Sequence, residues 1–138
     1  MRWTALAALV AGCVGPEPGA TAVPEPDRVV FASTVLPILA EHCANPSCHG
    51  RPERPLSLFA PRRYRADVAR TWLDEPLTPV ELEHDYRAVS ALIDPLDPDG
   101  SLLLRKALST SFHLGGAALE RDDAPHRLIR AWIAEAAR

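Results

Sequence analysis

The chain has 138 residues, enough for one small domain. It is 47% hydrophobic with only 6% aromatics and 14 prolines, so a small core must carry many loops. A formal charge of -3 with no basic run argues against a nucleic-acid partner, and no Gly-rich phosphate loop or nucleophile elbow points to a transferase or hydrolase.

Residues 1–12 read as a signal peptide: one basic residue, Arg2, precedes the apolar run Ala5-Leu6-Ala7-Ala8-Leu9-Val10. The small residues Ala11-Gly12 before Cys13 are similar to a bacterial lipobox, whose cysteine is lipidated and becomes the first mature residue. A short frayed helix is the plainer alternative. Cleavage at Cys13 would remove Arg2 and take the charge from -3 to -4. The apolar run falls short of the about 20 residues that a spanning helix needs, so the expectation is a membrane anchor or a soluble chain. Residues 13–30 then form the lipidated cysteine and a Pro-rich linker. Without helical or strand period, this linker favours extended chain at about 3 Å per residue.

Residues 31–138 are expected to form the folded domain, and no stretch alternates convincingly at period two, so the fold class is all-α. Phe31, Val35, Ile38, Leu39 and His42 share one face of a helix from Phe31 to Cys43. Ser33 or Thr34 would cap it and place Pro37 in the first turn; an earlier start would kink the helix at Pro37.

The stretch Cys43-Ala44-Asn45-Pro46-Ser47-Cys48-His49-Gly50 carries the chemistry. Two cysteines with a histidine directly after the second is the layout of covalent haem c attachment, in which thioethers deliver the imidazole beneath the iron. The gap is four residues where two is usual, and Asn45-Pro46 suits the turn that would absorb the excess. Three fates stay open for the pair: thioethers to haem, a Cys43–Cys48 disulfide, or a metal such as zinc held with His49 and a second histidine. Zinc sites generally bring a second ligand pair of similar spacing, and none is visible.

Beyond the motif, Leu56-Ser57-Leu58-Phe59 is a short apolar patch suited to a pocket wall. Tyr64 to Leu73 is expected as a helix with Tyr64, Val68 and Trp72 in register, ended by Glu75 to Pro79. A short turn follows over Asp85 to Ala91, then a turn-rich segment, Asp94 to Gly100. Ser101 would cap a helix from Leu102 to Leu108. In the last helix Asp122 or Asp123 is the cap, Pro125 lies in the first turn, and Leu128, Ile129, Trp132, Ile133 and Ala136 line one face.

These features together resemble the small c-type cytochrome domains of bacterial lipoproteins, including those with a widened cysteine gap. The likeness rests on Val35-Leu36-Pro37-Ile38-Leu39, Cys43, Cys48-His49-Gly50, Asp97-Pro98-Asp99-Gly100-Ser101-Leu102-Leu103 and Leu128-Ile129-Arg130-Ala131-Trp132-Ile133. The resemblance implies one haem c per chain, Cys43 and Cys48 as thioether anchors, His49 as the proximal iron ligand, and a last helix packed on the first. It also implies redox partner proteins of the bacterial cell envelope, and a lipid-anchored location facing the periplasm or the exterior. Many such domains use methionine opposite the histidine, but here the only methionine is Met1, before the expected cut.

His113, in Phe112-His113-Leu114-Gly115-Gly116, falls where the family's distal ligand tends to lie, and its glycines permit close backbone approach. The plainer role for His113 is a loop histidine bonded to a carbonyl. His42 reads as structural, His84 as a solvated loop residue and His126 as water-facing. Two histidines on iron favour electron transfer at low potential, without an open coordination position for oxygen chemistry. A cofactor-free interaction lipoprotein, and a haem sensor or enzyme with an open sixth position, are the competing functions.

Overall fold

The computed structural model describes residues 25–138, so the signal peptide, Cys13 and most of the linker lie outside the described residues. Among the described residues the chain forms helices and turns with no strand, an all-α fold. None of these helices is long and apolar enough to cross a membrane.

The first helix, α1, starts earlier than its hydrophobic period suggests and runs through Arg28–Val30, Phe31–Val35 and Leu36–His42. Its cap is Asp27, whose carboxylate accepts the Val29 and Val30 N–H groups at 2.7 and 2.8 Å. Ser33 is therefore no cap; its hydroxyl donates to the Val29 carbonyl inside the helix. Proline at position 37 has no N–H to give and its ring crowds the preceding turn. The chain answers with a wider π turn over Phe31–Val35, in which the Leu36 N–H reaches back to the Phe31 carbonyl. Phe31, Val35 and Leu39 stay buried, whereas His42 is exposed. Tyr86 donates its hydroxyl to the Pro26 carbonyl and Trp132 its indole N–H to the Asp27 carbonyl. The folded body thus takes in residues 26–30, expected above as the end of the linker.

The expected helix over Tyr64 to Leu73 is not formed. Only a 3₁₀ turn, Val68–Arg70, occurs there, capped by Asp67, and Val68 and Trp72 are exposed. Four-residue spacing failed as a guide because only Tyr64, stacked on Phe59 at 4.7 Å, finds a buried surface. Helix α2, Pro79–Ser90, occupies instead the region expected as a break and a short turn. Its start is a capping box: Glu81 N–H donates to the Thr78 hydroxyl while the Glu81 carboxylate accepts the Thr78 N–H, with proline in the first turn.

Helix α3, Leu102–Ala107, has Ser101 at its N-terminus without a side-chain cap bond. The Ser101 hydroxyl faces back, accepting the Asp94 N–H. Helix α4, Ala124–Glu135, is capped by Asp123. Ile129, Trp132 and Ile133 are buried, but Leu128 is partly exposed and His126 takes the inner position. The water-facing reading of His126 is therefore corrected. The Trp132 ring lies 5.5 Å from Phe31, which in turn meets Tyr86 edge-on at 5.5 Å, joining α4, α1 and α2.

A buried ion pair ties the irregular half of the chain to α2. Arg65 and Glu81, both about 1% exposed, pair at 2.9 Å. The Arg65 guanidinium also donates to the Glu75 and Pro76 carbonyls. Burial alone would raise the Glu81 carboxyl. The Arg65 guanidinium, the N–H groups of Thr78 and Ala66 and the Thr78 hydroxyl outweigh it and hold the group down to about 2. Because the folded value lies below the ordinary one, the pair's contribution is present above about pH 4.5 and is lost as pH falls toward 2. Arg65→Met strands the carboxylate and is expected to lower the unfolding free energy by about 3–5 kcal/mol in urea titrations at neutral pH. An unchanged midpoint would contradict this.

Candidate functional site

Helix α1 ends at His42 and delivers Cys43 into a tight loop over residues 43–50. The Asn45 carboxamide accepts the Ser47 N–H at 2.9 Å, and the Asn45 carbonyl accepts the N–H groups of Cys48 and Gly50 at 2.8 and 2.9 Å. The Cys43 carbonyl accepts from His49 at 3.2 Å. Arg54 clamps the loop from outside, donating to the Ser47 and Cys48 carbonyls at 2.9 Å each. The four residues between the cysteines are thus folded into a compact turn that exposes Asn45, Pro46 and Ser47 and leaves both cysteines partly buried.

The two thiols are free. Burial, helped by the neighbouring Cys48, pushes the Cys43 thiol up to about 11. Cys43 is therefore a neutral thiol near pH 7, and thiols attack disulfides and bind metals chiefly as thiolates. Among the described residues no group of three or more His, Cys, Asp or Glu side chains gathers as a metal site.

His49 is oriented by the segment 56–60. Its Nδ1 lies 2.8 Å from the Leu56 carbonyl, and the Leu58 N–H donates to the His49 carbonyl at 2.8 Å. A carbonyl can only accept, so Nδ1 carries the proton and Nε2 is left with its lone pair. His113 repeats the arrangement: Nδ1 lies 2.9 Å from the Gly116 carbonyl, which again leaves Nε2 as a free base. Gly116 has φ +70°, a conformation that suits glycine and turns its carbonyl back toward the ring. The structure brings His49 and His113 together, with ring centres 5.9 Å apart and planes inclined by 10°.

Comparison of the chain with protein-family models, curated proteins and solved structures gives no significant match.

The donor set can be tested directly against a haem iron. The near-parallel rings 5.9 Å apart, with Nδ1 of each held by a carbonyl, and the free thiols of Cys43 and Cys48 are donor types that a covalently held haem would use. The remaining histidines do not join them. His126 accepts the Asp122 N–H at Nδ1, so its proton sits on Nε2, which is buried without a partner. His84 is exposed on α2 and bonds the Ser57 carbonyl.

Sequence reasoning missed Arg54 and the Leu56 carbonyl, because neither residue type nor spacing marks a clamp built by loop closure. It also gave no reason for Gly50. A Cβ there would lie 2.3 Å from the Ala44 carbonyl oxygen and 3.0 Å from two backbone carbons. Gly50→Ala must displace the backbone that joins Cys43 to His49 and is expected to cost about 1–3 kcal/mol. A thermal melt shows this as a lowered midpoint; an unchanged one would contradict the packing.

Proposed function

We propose that the chain is an envelope-anchored c-type cytochrome that carries electrons on one haem c. Cys43 and Cys48 are its thioether anchors, His49 the proximal ligand and His113 the distal ligand. The observation that carries this reading is the pair of near-parallel imidazoles 5.9 Å apart, each with Nδ1 spent on a backbone carbonyl and Nε2 free, beside two unbridged thiols.

Bound there, haem would supply a reversible one-electron change at iron. The chain's own residues do the rest. Leu56 and Gly116 hold each ring through Nδ1, which would leave Nε2 as the ligating atom. Holding the rings in this way reduces rearrangement between oxidation states. Ligation by both histidines would lower the potential relative to histidine with methionine. Phe112 and Leu114, exposed on either side of His113, form an apolar rim at which a partner protein can approach. Lipidation at Cys13 and the linker that follows would hold the domain at a membrane surface facing the periplasm or cell exterior.

The protein made with cytochrome c maturation machinery is expected to keep haem stain on denaturing gels and to gain the mass of one haem. Cys48→Ala should lose the stain. His113→Ala should keep it while its absorption spectrum changes from low to high spin. A colourless preparation, exported and with Cys43 and Cys48 bridged by thiol labelling before and after reduction, would favour the cofactor-free lipoprotein instead.

A further inference from the structure

Asp85 lies on the inner face of α2, fully buried. Its Oδ1 accepts the Phe59 N–H at 3.0 Å, while Oδ2 has no hydrogen-bond partner. A carboxylate so placed is costly when ionised and much less so when protonated. Burial pushes the group up to about 7, against the Phe59 N–H and with help from the negative charge of Glu81.

The peptide that Asp85 holds belongs to the strip that holds His49. Leu56 takes His49 Nδ1 at its carbonyl, the Leu58 N–H meets the His49 carbonyl, the Ser57 carbonyl bonds His84 Nε2, and Phe59 donates to Asp85. One short segment is thus gripped by His49 on one side and by α2 on the other. The two sets of contacts alternate along the segment: Leu56 and Leu58 meet His49, while Ser57 and Phe59 meet α2.

We propose that Asp85 is the proton acceptor coupled to the electron that the haem takes up. The inference rests on the reading above and deepens it. Ferric iron with an Asp85 carboxylate, plus one electron from a partner protein or electrode and one proton from water, becomes ferrous iron with an Asp85 carboxylic acid. Only an O–H bond forms. The surrounding charges leave Asp85 as the group that changes. Glu81, one turn earlier on α2, is held ionised by Arg65 from the loop before it. His84 beside it is exposed, with its ring edge-on to Phe59 and its Nε2 on the Ser57 carbonyl, and Tyr86 directs its hydroxyl to Pro26. The strip 56–60 contributes no ionisable side chain. As a general scale, unit charges about 12 Å apart in an effective dielectric of about 20 change one another's proton affinity roughly tenfold.

Redox titration of the haem-loaded full chain from about pH 5.5 to 8.5 tests the coupling, since that range brackets the Asp85 value of about 7. The potential is expected to fall with rising pH by about 59 mV in total, the equivalent of a tenfold change for one electron. Asp85→Asn, which keeps an acceptor for Phe59, should flatten the curve at its low-pH value. Equal pH dependence in both proteins overturns the proposal and assigns it to other groups, such as the haem's own carboxylates. Should Asp85→Asn not fold, infrared difference spectra of the unaltered protein decide. Reduction at pH 7 should add a protonated carboxyl band, and its absence overturns the proposal. A chain that takes up no haem sinks the reading of function and this inference with it. A haem-loaded chain whose potential ignores Asp85 sinks the inference alone.

Discussion

An imidazole nitrogen can hold a proton or a metal but not both, and the candidate site is organised around that constraint. Each of the two paired histidines has its Nδ1 proton drawn to a backbone carbonyl, Leu56 for His49 and Gly116 for His113. Both Nε2 atoms are thereby committed as bases before any ligand arrives. His126 shows the opposite case within the same chain: a backbone N–H occupies Nδ1, so Nε2 keeps the proton and the ring is no ligand. Backbone contacts thus leave Nε2 without a partner on His49 and His113 and place Nδ1 of His126 opposite a backbone donor.

The helices matter because they fix where those carbonyls lie. Helix α1 ends where Cys43 must enter the loop, and α4 packs on its first turns through Trp132 and Phe31. The Leu56 carbonyl is placed by a segment that α2 holds through His84 and Asp85. Helix α2 is in turn fastened to the preceding loop by the Arg65–Glu81 pair. On the other side, the Leu119 and Ala118 N–H groups return to the Ala107 carbonyl at the end of α3, closing the loop that carries His113. A small core with few aromatics thus relies on polar ties to set the positions of two rings.

Much of this was legible in the chain. The periodicity of Phe31, Val35 and Leu39, the Asp123 cap and the Ile129, Trp132, Ile133 face follow from helical geometry, and the loop character of residues 109–119 follows from its glycines. His113 as a candidate distal ligand follows from the resemblance and the lack of a methionine after Met1; the fold places its ring 5.9 Å from that of His49. What failed has local causes. The register of Tyr64, Val68 and Trp72 implied a buried face that the fold does not supply, and a Thr-x-x-Glu box with Pro79 was passed over in favour of a break. A π turn around Pro37 has no composition signal, since it is the backbone's answer to a missing N–H. The placing of His126 inside and Leu128 partly outside depends on a rotation of α4 that a period alone does not fix.

Electron paramagnetic resonance of the oxidised full-length protein tests the two-histidine claim most directly, because the signal depends on the axial ligands and on the angle between their planes. With imidazole planes inclined by 10°, a rhombic low-spin ferric spectrum is the result that this account predicts. An axial high-spin signal, or no ferric haem signal at all from the exported protein, would contradict it.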